Sequence, residues 1–248
     1  MSNYSIKPFF IIFLFSLLAC GSGPDAPGSD RLSEVKTRRL GDAQALLQQY
    51  GLSWDDFELY IRAFKKEKKL EVWAKEKGNH QFKQIDIYLF CKSSGTLGPK
   101  RREGDGQIPE GFYHIDRFNP KSQYHLSLGI NYPNAADRKH ADHSAPGSDI
   151  FIHGGCETVG CIPIMDSKIE ILYLLAEQAH MLGQRNIPVH IFPTIMRPGP
   201  LKVLELNHPE HMALWSQMQP VYKEFNRYKR IPAISIDKHG AYQVKRLR

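Results

Sequence analysis

The hydrophobic pattern of the chain changes period several times, and each change predicts an element. Residues 9–18 form an apolar run of ten, broken only by Ser16, and Lys7 is the only charge before it. Such a run is too short to cross a bilayer, which takes about 20 residues, but it suits the apolar centre of a secretory signal. Residues 21–29, GSGPDAPGS, have the composition of a flexible tether. Leu32, Val35, Leu40, Ala43, Leu46 and Leu47 then recur at roughly helical spacing, with Gly41 as an interruption. Ser53-Trp54-Asp55-Asp56 reads as a second helix start ahead of Phe57, Tyr60, Ile61 and Phe64. At Lys69 the pattern turns to alternation through Lys75, a turn follows over residues 76–80, and strand chemistry resumes over 82–90, a predicted hairpin.

Further strands are predicted at residues 112–118, 124–130, 150–153 and 189–192. One clear helix is predicted at 167–182: Ser167 and Glu170 have capping-box spacing, Ile169, Leu172, Tyr173 and Ala176 share a face, and Gly183 stops it. From Asn207 the pattern is mixed, helical and irregular. Composition agrees with a folded domain, with 42% apolar and 24% charged residues. Four cysteines are too few for a disulfide scaffold or a pair of four-cysteine zinc sites. The net charge of +7 favours acidic partners, and the absence of a basic block interleaved with aromatics argues against nucleic acid.

The apolar run ends in Leu17-Leu18-Ala19-Cys20, which resembles a bacterial lipobox. That resemblance implies cleavage after Ala19 and diacylation of Cys20, anchoring the chain in a membrane. A plain signal peptide or an uncleaved anchor is the alternative. Loss of residues 1–19 removes only Lys7 and lowers the charge from +7 to +6. By resemblance to lipoprotein sorting rules, the absence of an aspartate just after Cys20 favours the outer membrane facing the periplasm, an oxidising compartment.

The stretch most able to carry chemistry covers residues 149–163. His153 follows an apolar run, and Cys161 comes eight residues later, after Gly160. A thiol nucleophile needs a nearby base, and its oxyanion needs backbone N–H groups, which a Gly-Cys turn can present. Spacing alone equally allows a strand-end histidine beside two small buried cysteines.

Longer motifs narrow the choice. Residues 104–113 (GDGQIPEGFY), 132–137 (YPNAAD), His153-Gly154 with Gly160-Cys161, and His190-Ile191-Phe192-Pro193 resemble, in order, the catalytic domain of the L,D-transpeptidase (YkuD-type) family, in its YafK-like branch. The resemblance covers residues 70–196. It implies a mainly β sandwich or barrel with one packed helix, flanked by helical N- and C-terminal extensions. Residues 20–30 are the tether, 31–68 the N-terminal extension, 69–197 the catalytic domain and 198–248 the C-terminal extension. It implies Cys161 as nucleophile, His153 as general base, the Gly154 carbonyl as its orienting group, and the N–H groups of Gly160 and Cys161 as oxyanion donors. The implied partner is the peptidoglycan stem peptide, with no metal or organic cofactor. Attack at the third residue of the stem gives a thioester, which an amine resolves to a cross-link or attachment. A hydrolase on the same bonds and a non-catalytic wall-binding lipoprotein are the rivals.

Thr158-Val159 before the Gly-Cys, and Pro163 two residues after it, depart from the commoner family pattern and leave a substrate carboxylate without an evident cation. Arg197, Arg101 and Arg102 are candidates for that role. Cys156 is expected to be inert or to pair with Cys161, and Cys91 to be a buried hydrophobe. His140 and His143 read as a solvated loop near the cleft, His190 as a packing residue beside the site, and residues 65–69 as a solvated helix end.

Overall fold

The computed structural model describes residues 28–245 and residue 247, so Cys20 and the predicted tether up to residue 27 lie outside the described residues, while residues 28–30 already belong to the first helix. Among those residues, no helix is long and apolar enough to cross a membrane. The first correction concerns residues 57–64. They do not continue a helical extension but form strand β1 (Glu58–Phe64), buried at every position after Glu58. Leu59, Ile61 and Ala63 enter one core, while Tyr60 and Phe64 enter aromatic clusters on the opposite face. A strand buried on both faces is an unbroken apolar run, and such a run contains helical spacings by default.

The strand pairs in antiparallel register with β2 (Lys69–Lys75), and β2 pairs with β3 (Lys83–Leu89), the predicted hairpin. The sheet also contains β4 (Gly111–Asn119), β5 (Ser127–Ile130), β6 (Phe151–His153), β7 (Ile162–Pro163) and β8 (Pro188–Phe192). Its order is β3-β2-β1-β8-β4-β5-β6-β7, with only β1–β8 and β6–β7 parallel. The two outer strands meet at one end. The Cys91 N–H, just past β3, donates to the Pro163 carbonyl of β7 at 3.1 Å, so the sheet curls into a half-barrel.

Helices cover both faces. On one, α1 (Gly28–Gln49) packs on α3 (Asp166–Met181), and Val35, Leu47, Leu172 and Leu175 belong to the same buried core. Gly41 does not break α1; no atom crowds its missing side chain. On the other face lie α4 (Pro198–Asn207) and α5 (Met212–Tyr228), followed by the hairpin of β9 (Ala233–Ile236) and β10 (Tyr242–Lys245). Trp215, Met218, Val221 and Tyr222 of α5 pack against Phe64 and Phe192, so the C-terminal segment is a layer of the fold. Lys65 is no solvated helix end. It is buried, bonds the carbonyls of Gly98 (2.7 Å) and Ile108 (2.8 Å), and pairs with Glu110 at 3.0 Å. Glu110 also accepts the Trp215 indole N–H at 2.6 Å, tying α5 to the sheet.

Helix α3 begins one residue earlier than its predicted cap, at Asp166, and no side chain caps it. The Glu170 carboxylate is drawn instead to Arg38, Arg39 and His125. A capping box does occur at α2 (Ala135–His140), where Asn134 and Asp137 bond each other's backbone. His140 is therefore the end of a helix.

His190 sits in β8 among Tyr60, Phe112 and Phe192, with Nδ1 2.7 Å from the Tyr60 hydroxyl. Burial, helped by Arg62, pushes its pKa down from 6.5 to about 3. Between those values the unfolded chain takes up a proton that the folded chain refuses, so stability falls as the pH drops through this window. The loss approaches roughly 4–5 kcal/mol at its lower end. His190→Gln, which keeps a polar partner for Tyr60, is expected to flatten the fall in urea midpoint between pH 6.5 and 4. An unchanged slope would place the acid sensitivity elsewhere.

Candidate active site

Parallel pairing of β6 with β7 sets the site. Ile152 is opposite Ile162, and both enter the core beneath α3. Side chains alternate along a strand, so Phe151 and His153 point to the other face. Cys161, immediately before β7, continues the register opposite Phe151 and shares that face with His153. Its sulfur accepts the Phe151 N–H at 3.3 Å, and its S–H lies 3.6 Å from the Asp149 carbonyl.

His153 is buried, with the Tyr124 ring 4.7 Å from its own. Its Nδ1 lies 2.5 Å from the Gly154 carbonyl oxygen. A carbonyl can only accept, so Nδ1 carries the proton and Nε2 keeps a bare lone pair. Nε2 is buried and has no hydrogen-bond partner among the described residues.

One peptide unit holds this imidazole. The C=O of the Gly154–Gly155 peptide faces His153, while its N–H donates to Asp166 Oδ1 at 2.7 Å. Gly154 is required by close approach: an added Cβ would lie 2.5 Å from Asp166 Oδ1 and 2.8 Å from the Tyr124 carbonyl. Asp166 is the first residue of α3 and follows Met165, whose φ of 69° and ψ of 157° are a region kept almost wholly for glycine. His125 and Asp149 also have positive φ, at 69° and 56°. Backbone strain thus flanks the thiol and the imidazole.

The segment from Gly154 to Cys161 is stitched to the chain leaving β3. Cys91 and Cys156 form a disulfide, and Cys161 is the free thiol among the described residues. Cys91 is accordingly no buried hydrophobe, and Cys156 does not pair with Cys161. The bond spans 65 residues, and closing such a loop removes roughly 4 kcal/mol of unfolded-chain entropy. Ser94 Oγ accepts the Gly160 N–H at 2.7 Å, and Thr158 Oγ1 accepts the Cys161 N–H at 3.1 Å. The N–H groups expected to form an open oxyanion hole are therefore engaged by hydroxyls here. Gly160 has φ of 87°, and an added Cβ would meet the Gln107 carbonyl at 3.1 Å.

Electrostatics favour neutral partners at rest. Burial pushes the Cys161 thiol up, opposed by the Phe151 N–H; the Asp149 charge adds to the rise and Lys100 opposes it. Burial holds His153 below 6.5, partly offset by the Gly154 carbonyl. An imidazole that stays neutral with a free lone pair suits a general base.

The three candidate arginines do not gather at the thiol. Arg101 lies 4.0 Å from buried Asp137 and lines a cavity of about 280 Å³ with His140, His211 and Tyr242. Arg102 is exposed. Arg197 borders a pocket between β1, β2 and α5. The cation whose field reaches Cys161 is Lys100, held by Asp105 at 2.7 Å. His190 lies within the aromatic layer beneath α5. Sequence reasoning missed Asp166, Ser94 and Lys100; none stands at a distinctive spacing, and only the fold brings them near.

The curled sheet thus presents a free thiol and a buried, carbonyl-oriented imidazole on one face. The chain belongs to the L,D-transpeptidase catalytic-domain family, whose model matches residues 58–191. It is 33% identical over 190 residues to YafK of Escherichia coli strain K12, a candidate L,D-transpeptidase, covering 76% of this chain and 74% of that one. The YafK sequence of strain O157:H7 matches equally. Among solved structures, the helical cell shape determining protein Pgp2 of Campylobacter jejuni is similar at 19% identity and a TM-score of 0.44, over 79% of this chain and 80% of that one. Bd1075 of Bdellovibrio bacteriovorus is similar at 20% identity and a TM-score of 0.39, over 69% and 61%. The family match begins at residue 58 and so takes in β1, a strand of the sheet rather than part of an N-terminal extension.

Proposed function

We propose that the chain is a cell-envelope cysteine acyltransferase that acts on peptidoglycan stem peptides. The observation that carries this reading is the bare, buried Nε2 of His153 on the same sheet face as the Cys161 thiol. In the proposed cycle, His153 Nε2 takes the Cys161 proton as sulfur attacks the carbonyl of the third stem residue. The carbonyl oxygen exchanges with the Ser94 and Thr158 hydroxyls for the N–H groups of Gly160 and Cys161. Collapse expels the amine of the following residue, which takes the proton from His153, and leaves a thioester. An incoming amine then forms the cross-link or attachment, whereas water would give the hydrolase outcome. Lipidation of Cys20 and an outer-membrane position facing the periplasm belong to the same proposal, supported by the lipobox-like sequence.

Purified protein incubated with disaccharide-tetrapeptides or sacculi, against Cys161→Ala, is expected to yield joined products that the variant does not make. Shortened stems or released proteins alone would establish the hydrolase; equal turnover by Cys161→Ala would overturn the mechanism. The kcat/KM profile is expected to rise through a pKa below 6.5, as His153 loses its proton, and to stay level past pH 8. A rise through the thiol range instead would mean that a pre-formed thiolate reacts.

Asp166 enters the proposal as a positioning residue, acting through the Gly154–Gly155 peptide. Asp166→Ala is expected to lower kcat roughly ten- to a hundredfold with little change in KM, and Asp166→Asn, which keeps an acceptor, to restore most of it. Equal losses in both variants would contradict the positioning role.

A further inference from the structure

Away from Cys161, the face of β1 and β2 beneath α5 holds a pocket of about 600 Å³, within the range of ligand sites. Six cationic side chains line it, Arg62, Lys69, Arg197, Lys223, Arg227 and Lys229, against one carboxylate, Glu71. That carboxylate is already saturated. It accepts Arg62 at 2.6 Å, Lys69 at 2.8 Å and the Trp73 indole N–H at 3.0 Å.

Arg62 is a fixed floor. Its guanidinium is packed 4.6–5.7 Å from the ring centroids of Phe64, Trp73, Tyr222 and Phe225, and its side chain is 4% exposed. The other four cations have no carboxylate partner among the described residues. Lys223 reaches only Gln219, and Lys229 bonds the Asn226 carbonyl. Lys229 is held below the usual lysine range, first by burial and then by Arg62. Gln84 also lines the pocket, and its Nε2 is buried without a partner among the described residues.

Like charges concentrated in one concavity repel within a screening length of about 8 Å, a strain that a bound anion would relieve. Arg197 and Pro198 bring the N-terminus of α4 to the same rim, adding positive potential. A lone carboxylate would leave most of this charge unmet, whereas a phosphate dianion matches both the charge and the arginine forks. Tyr222, Ile195 and Met196 supply apolar wall for the group that bears it.

We infer that this pocket binds a phosphate ester, the phosphorylated sugar or headgroup of a small molecule or of a lipid. The inference does not depend on the chemistry proposed at Cys161, and its test reads binding alone. Purified full-length protein in neutral detergent would be titrated with glucose 1-phosphate and, in parallel, with glucose, by calorimetry at low salt. In the second arm, its binding to phosphatidylcholine vesicles with and without phosphatidic acid would be compared.

The phosphate ester, or the phosphatidic acid vesicle, is expected to bind at least tenfold more tightly than its uncharged counterpart. That preference should fall about tenfold in Arg197→Gln/Lys229→Gln and in the independent pair Lys223→Gln/Arg227→Gln. It should remain in Lys36→Gln/Arg185→Gln, which removes the same charge elsewhere. Preference in the first arm alone identifies a soluble ester, and in the second alone a lipid headgroup. No preference in either arm, or equal loss in the control pair, would overturn the inference.

Discussion

The site depends on the closure of the curled sheet. Strands β3 and β7 are the two ends of the sheet order, and each would otherwise present unpaired backbone groups. They meet where the Cys91 N–H reaches the Pro163 carbonyl, and the Cys91–Cys156 disulfide locks the same seam. A few residues on, Ser94 holds the Gly160 N–H. The segment that carries Cys161 thus runs along the seam and is fixed on both sides, by pairing with β6 and by the chain leaving β3. A short β7 of two residues gives Cys161 little ladder of its own; the covalent bond and the hydroxyl contacts supply what is missing.

Within that frame, polar groups form a short relay. Asp166 holds an N–H, the same peptide offers its carbonyl to His153, and His153 is left with one free nitrogen. A peptide group thus stands between the imidazole and the carboxylate, which holds the ring one step further back. The arrangement has costs: a non-glycine residue at Met165 in a strained conformation, and an unpartnered buried Nε2. Costs of this kind persist where function selects for them. Burial of both thiol and imidazole keeps them uncharged at rest, which links the packing of the site to the general-base role proposed for His153.

Much of this was legible in the sequence, for identifiable reasons. The β2–β3 hairpin and strands β4, β6 and β8 have clear apolar patterns, and α3 has a helical face and a glycine stop. His153 and Cys161 stood out through ordered motifs. Strand β1 did not, because burial on both faces erases the alternation that marks a half-exposed strand. The cap proposed for α3 failed because Glu170 is held by Arg38, Arg39 and His125, from parts of the chain far away in sequence. The same holds for Lys65, whose partner Glu110 lies 45 residues on, and for the pairing of Cys91 with Cys156. Local pattern reports the element a segment forms; it does not report which distant charge or thiol it will meet.

The central claim is that Cys161, with His153 as its base, forms a covalent bond to the stem peptide. Intact-mass spectrometry after brief incubation with a disaccharide-tetrapeptide, followed by peptide mapping, tests this most directly. The account predicts an adduct equal to the substrate less its terminal amino acid, released whole as the free amine, located on Cys161 and strongly reduced in His153→Ala. No adduct under conditions where product forms, or an adduct on another residue, would contradict it.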